Sequence, residues 1–209
     1  KALALDPRDE AVRQNAEVLA GEASRWPDLV TAYEKVWESL VEPVDQLPLM
    51  LTVARIHEDA LGQVDEALQV NRRIIELEPQ NPDAVDALVR LYTQTERWQE
   101  LLEMYLRKIE LVQGDEERKE IYLQMAYMYE EELDDAEQAI SAYTTVLDLS
   151  ADDMQALRAL DRIYVGQEMW QDLAEILLRE LDAAEVDEQE QVELKLRLGA
   201  LREERLDDV

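Results

Sequence analysis

Self-similarity at a fixed interval constrains this chain more than any other feature. Trp26 opens the run Trp-Pro-Asp-Leu-Val, Trp98 opens Trp-Gln-Glu-Leu-Leu and Trp170 opens Trp-Gln-Asp-Leu-Ala, and both intervals are 72 residues. The same shift lays Ala54 on Ala126, Leu61 on Leu133, Ala67 on Ala139, Leu77 on Leu149 and Tyr92 on Tyr164 without a gap. A supersecondary unit that returns in phase cannot bury its apolar face alone. It must stack on its neighbours, so the chain is read as a repeat array.

Each 72-residue unit holds four helical patterns, which makes it two helix–turn–helix repeats. Asn81-Pro82-Asp83 reads as a helix start, with Asn81 as cap, Pro82 in the first turn and Asp83 favouring the dipole. Val85, Leu88, Leu91 and Tyr92 follow at helical spacing. After a short polar break, Trp98, Leu101, Leu102, Tyr105, Leu106 and Ile109 form a second apolar stripe. Gly114-Asp115 ends that helix and opens another, in which Ile121, Met125, Met128 and Leu133 face inward.

The whole chain reads as about eleven helices, near 9–20, 26–41, 46–61, 64–78, 82–95, 98–112, 116–132, 135–149, 153–166, 169–184 and 188–205. Short connections make successive helices antiparallel. The fold class is therefore all-α, a single solenoid over residues 1–209 with a double-repeat period of 72.

The chain carries 50 carboxylates against 21 basic groups, a formal net charge of −29. Such a surface repels phosphates, which excludes nucleic acid as a partner, and it disfavours anionic membrane surfaces. No apolar run reaches the ~20 residues of a membrane helix, so membrane insertion is not expected. Without cysteine there is no disulfide, thiolate zinc site or cysteine nucleophile, and either redox compartment is compatible.

Nothing in the chain assembles a catalytic or metal centre, and no cofactor is expected. His57 is the sole histidine, and one period on its place is taken by Tyr129, which suits a partly buried structural position. Carboxylate runs such as Glu130–Glu132 with Asp134 and Asp135 lie near helix ends, where solvent screens them. There is no calcium loop, phosphate loop or nucleophile elbow. Trp26, Trp98 and Trp170 recur at one repeat position and are read as packing residues, as is Trp37, whose place is taken by Ile109 and Leu181 further on.

The pattern resembles tetratricopeptide repeats, in which about 34 residues form two antiparallel helices. The family's Leu-x-x-x-Tyr spacing appears as Leu88 and Tyr92 and again as Leu160 and Tyr164, its small second-helix residue as Ala67 and Ala139, and its closing proline as Pro79 and Pro7. Two kinds of repeat alternate. One has Leu29, Leu101 and Leu173 where the family prefers alanine, with Val89 and Asp161 at a close-approach position, so helix packing there is expected to be looser or differently angled. The other carries one extra residue, because Val53 to Ala67 spans 14 positions and Leu88 to Leu101 spans 13. Lys1–Pro7 is similar to Ile74–Pro79, and Glu203–Val209 to Glu130–Ala136, so both ends are expected to cut through a repeat of a longer array.

The resemblance implies a right-handed solenoid and a protein-interaction scaffold whose concave face, lined by first helices, receives a peptide segment or partner helix. Carried over position by position, the groove residues are Arg55, Glu58 and Asp59; Arg90, Thr93 and Gln94; Tyr127, Glu130 and Glu131; and Arg162 and Val165. Chaperone-binding members clamp a peptide carboxylate with a Lys/Asn/Arg set, whereas these arginines stand singly among acids, so a protein or peptide ligand of basic or mixed charge fits better. The alternative is a structural spacer, or a segment that self-associates end to end through uncapped stacking faces.

Overall fold

The computed structural model describes residues 9–183 and 187–206, so the expected correspondence at Lys1–Pro7 and the last part of that at Glu203–Val209 lie outside the described residues. Among the described residues there are eleven α-helices and no strand. They are α1 (Glu10–Glu22), α2 (Trp26–Trp37), α3 (Pro43–Arg55), α4 (Val64–Leu77), α5 (Pro82–Gln94), α6 (Trp98–Leu111), α7 (Asp115–Tyr127), α8 (Ala136–Leu149), α9 (Met154–Gly166), α10 (Trp170–Asp182) and α11 (Glu188–Arg205). They gather into two compact units, one up to Leu111 and one from Val112 onward.

In the first unit each helix packs on its chain neighbour, α1 on α2, α3 on α4 and α5 on α6, with α2 on α3 and α4 on α5 joining the hairpins. Tyr33, Leu49, Met50, Ile56, Leu68, Ile74, Leu88, Leu91 and Leu101 are fully enclosed between these layers. Each such apolar side chain contributes about 1.5–3 kcal/mol on burial. In the second unit Ala126, Ala139, Val146, Ala156, Leu157, Leu160 and Leu177 form the centre of one continuous cluster, and Leu194, Leu198 and Leu201 bring α11 onto it.

Local chemistry recurs at matching positions. Asp9, Asn81 and Asp153 each cap a helix through a side-chain oxygen that accepts a backbone N–H, at 3.0 Å for Asn81 and 3.1 Å for Asp153. The hairpins entering Trp26, Trp98 and Trp170 close through left-handed residues, Ser24 (φ 54), Glu96 (φ 54) and Glu168 (φ 56). In each case the next residue's N–H reaches back to a carbonyl of the preceding helix, Arg25 to Ala20, Arg97 to Tyr92 and Met169 to Tyr164. This wrapped ending satisfies carbonyls the helix would otherwise leave open.

The extra residue in alternate repeats has a structural form. α3 runs on into a π-helical turn, Ile56–Leu61, and α7 into another, Met128–Glu132. Each is an insertion absorbed by widening one turn of an otherwise regular helix. The His57 carbonyl accepts from Gln63 N at 2.8 Å and the Tyr129 carbonyl from Asp135 N at 2.7 Å, closing both turns alike. His57 is buried, with Nδ1 2.8 Å from Gln63 Oε1.

Some positions differ from the sequence expectation. α3 begins one turn earlier than expected because Pro43 supplies a helix start, which leaves Pro48 inside the helix. Leu106 is exposed, since α6 buries only the face that carries Leu101, Leu102, Met104 and Tyr105. Trp37 is buried, whereas Trp26, Trp98 and Trp170 are half-buried at their helix starts. Arg205 lies over the Trp170 ring, 4.9 Å from its centroid.

Candidate partner-binding face

The first helix of each hairpin carries the residues singled out from sequence, and the structure ties many of them to one another. In the first unit Glu17 of α1 accepts from Arg55 of α3, and Glu58 in the π-turn accepts from Arg90 of α5 at 2.9–3.2 Å. In the second unit Glu130 in the π-turn accepts twice from Arg162 of α9, at 2.7 and 3.0 Å. Asp161 of α9 takes both arms of Arg197 of α11, at 2.7 and 2.8 Å, and Arg158 donates to Glu190 at 2.8 Å.

Each of these is an arginine paired with a carboxylate of an adjoining hairpin, through planar forks that suit two-point contact. The arginines remain largely exposed, 59% for Arg90 and 63% for Arg162, while their glutamates are mostly covered. Hydrogen bonding to Glu130 raises the Arg162 pKa further above its ordinary value.

Glu130 departs from the expected solvated run. Its Oε2 also accepts from the Tyr143 hydroxyl at 3.1 Å, and Tyr143 is buried. Burial first, then the Glu130 charge, pushes the Tyr143 pKa well above its ordinary value. The widened turn brings Glu130 between a second-helix tyrosine and a first-helix arginine, so it is a junction of the packing. Glu131, Glu132, Asp134 and Asp135 do stay exposed.

Within the first unit a cleft of about 430 Å3 opens between α3 with its π-turn and α5. Arg55, Glu58, Asp59 and Arg90, four of the residues singled out from sequence, line it, and Asn71 and Asp83 join them. Among the described residues Asp59 and Asp83 make no ion pair, in contrast to the two arginines. Asn71 is buried in α4, where its Nδ2 donates to the Ala67 carbonyl at 2.9 Å. The only sequence signal for Asn71 was an amide on an apolar stripe, at the position Tyr143 holds one period on.

Thr93 and Gln94 are exposed and lie off the cleft, and Thr93 spends its hydroxyl on the Val89 carbonyl. In the second unit Tyr127 and Val165 are exposed apolar side chains, 55% and 43%, and Glu131 is exposed beside the π-turn glutamate. Among the described residues no group of three or more His, Cys, Asp or Glu side chains could hold a metal ion. No helix there is long and apolar enough to cross a membrane.

Comparison with known proteins follows the same lines. Residues 84–119 match the family model described as tetratricopeptide repeat. No curated protein matches the chain in sequence. The crystal structure of MamA protein is similar at 14% identity and a TM-score of 0.50, with 82% of this chain and 90% of that one covered, a likeness of fold. YrrB, whose structure is described as a TPR protein with an unusual peptide-binding site, is 11% identical with a TM-score of 0.44, covering 76% of this chain and 87% of its own. TTC0263, a thermophilic TPR protein in Thermus thermophilus, is 17% identical with a TM-score of 0.38, covering 90% and 95%. With its helical hairpins in series and a family match over residues 84–119, centred on α5 and α6, the chain resembles tetratricopeptide-repeat proteins in fold.

Proposed function

We propose that the chain is a protein-interaction scaffold rather than a catalyst, and that its first-helix faces receive a segment of another protein. The observation that carries the reading is the division of charge in the cleft between α3 and α5. Arg55 and Arg90 are already paired with Glu17 and Glu58, whereas Asp59 and Asp83 make no ion pair among the described residues. A peptide carboxylate would meet no uncommitted cation there. A lysine or arginine side chain would meet two carboxylates, and the overall charge of −29 would speed the approach of a basic or mixed-charge partner.

The test is fluorescence anisotropy with a panel of labelled peptides that share one apolar pattern and differ only in basic, mixed or acidic charge. Basic and mixed peptides should bind, and Asp59→Asn with Asp83→Asn should weaken them by about tenfold or more. Glu103→Gln on α6, away from the cleft, should leave them unchanged. Binding that prefers acidic peptides, or ignores the double variant, would refute this assignment.

A second reading, a spacer or end-to-end self-associating segment, is favoured by exposed apolar side chains on the helices at either end of the described chain. Val18 and Leu19 on α1 are 59% and 65% exposed, and Val192 and Leu196 on α11 are 57% and 69% exposed. Sedimentation velocity over a wide concentration range separates the two: a larger species abolished by Leu196→Glu supports self-association.

A further inference from the structure

Among the described residues Glu180 is the one acidic side chain that the second unit encloses, 3% exposed near the end of α10, and its Oε1 has no hydrogen-bond partner. The charged groups that face it are Arg158 and Asp161 from α9 and Glu190 and Arg197 from α11. Those four already form two ion pairs of opposite polarity across α9 and α11, Asp161 with Arg197 and Arg158 with Glu190. The set is neutral before Glu180 is counted. A proton on Glu180 keeps it neutral, and an ionised Glu180 adds an uncompensated buried charge beneath both bridges.

The preceding period resolves the same position differently. Lys108 stands there on α6, half-buried, and donates to Asp86 at 2.6 Å. That pair has its polarity reversed in the second unit, where Glu180 and Arg158 occupy the two places, yet Arg158 turns to Glu190 on α11 instead. The carboxylate left behind lies under the helix that its former partner now holds.

We propose that Glu180 is a proton-operated clasp for α11: protonated, it lets α11 seat on α9 and α10, and ionised, it weakens that seating. The apolar part of the seat is Leu194, Leu198 and Leu201, all buried, so loosening α11 uncovers their partners on α10. Burial first, then Asp161, pushes the Glu180 pKa up to about 7, against the pull of Arg197 and Arg158. For an acid raised in the packed state, seating is strongest below its ordinary value of 4.5 and weakens as pH rises towards about 7. Linkage between those two values makes the seating constant fall roughly tenfold from pH 6 to pH 8.

The test is amide hydrogen exchange on the whole chain at pH 6 and pH 8, each corrected for the intrinsic exchange rate. Protection of the α11 amides should drop about tenfold between the two, with little change in α5 and α6. Glu180→Gln, and Glu180→Met as a second variant without the carboxylate, should hold α11 equally protected at both pH values. Protection of α11 that is independent of pH in the parent chain, or a drop that persists in a folded variant, would overturn the proposal.

Discussion

Replacing Glu130 by alanine should cost clearly more than replacing Glu58, although the two sit at the same repeat position and hold equivalent arginines. Glu58→Ala removes the pair with Arg90, whose side chain is 59% exposed and can return to water. An exposed pair of this kind is worth about 0.5–1 kcal/mol. Glu130→Ala removes the matching pair with Arg162 and also leaves the Tyr143 hydroxyl, in a residue only 3% exposed, without its acceptor. A buried hydroxyl stripped of its partner costs about 1–3 kcal/mol. Both substitutions are Glu to Ala within a π-turn, so backbone effects cancel in the comparison. At about 2–4 °C per kcal/mol for a chain of this size, Glu130→Ala should melt at least about 2–4 °C below Glu58→Ala. The assay is thermal denaturation followed by circular dichroism at pH 7, repeated in a Tyr143→Phe background. There the Glu130 variant should cost no more than the Glu58 variant. Equal melting of the two single variants, or a gap that survives Tyr143→Phe, would refute the idea that Glu130 is a packing junction.

Gly62 closes the first π-turn with φ 63, and a Cβ there would meet nothing within 4 Å, so Gly62→Ala should cost about 1 kcal/mol from backbone conformation alone. Gly62→Asp should be milder, because Asp134 adopts φ 51 at the equivalent position; equal costs by chemical denaturation would count against this. With a formal charge of −29, the melting temperature should rise as NaCl increases towards about 0.1 M, where screening shortens to about 10 Å. A flat or falling profile in a salt series would mean that ion pairs such as Asp161–Arg197 outweigh long-range repulsion.

The helices were legible because apolar spacing and caps are local properties. Asn81, Pro82 and Asp83 announce α5, and the three tryptophans announce α2, α6 and α10. The extra residue in alternate repeats was visible as a count, but a count does not say whether a loop lengthens or a helix widens. The backbone chose to widen because Ile56, His57 and Met128 gain burial inside the turn. What the sequence concealed was pairing between hairpins. Glu58 meets Arg90, and Glu130 meets Arg162, at a separation of 32 residues, a contact that depends on how one hairpin registers on the next. For the same reason Arg55, Arg90 and Arg162 looked available in sequence and are committed in the structure. Asn71 and Asp83 entered the cleft only once α4 and α5 were placed against α3. Leu106 shows the opposite error, an apolar residue on the expected stripe that no neighbouring helix covers.

The return of caps, left-handed closures and π-turns at one offset also fixes the grain of this architecture. Excising residues 81–152 would join Gln80 to Asp153, so a helix cap would replace a helix cap and every later closure would fall into its old place. Removing a single hairpin would instead bring a plain turn to where a widened one is needed. It would also break the inter-hairpin series of ion pairs; loss of α5 and α6, for example, would leave Glu58 without Arg90. Shortening or lengthening a chain built this way therefore proceeds in whole double hairpins, which makes two hairpins, not one, its smallest interchangeable part.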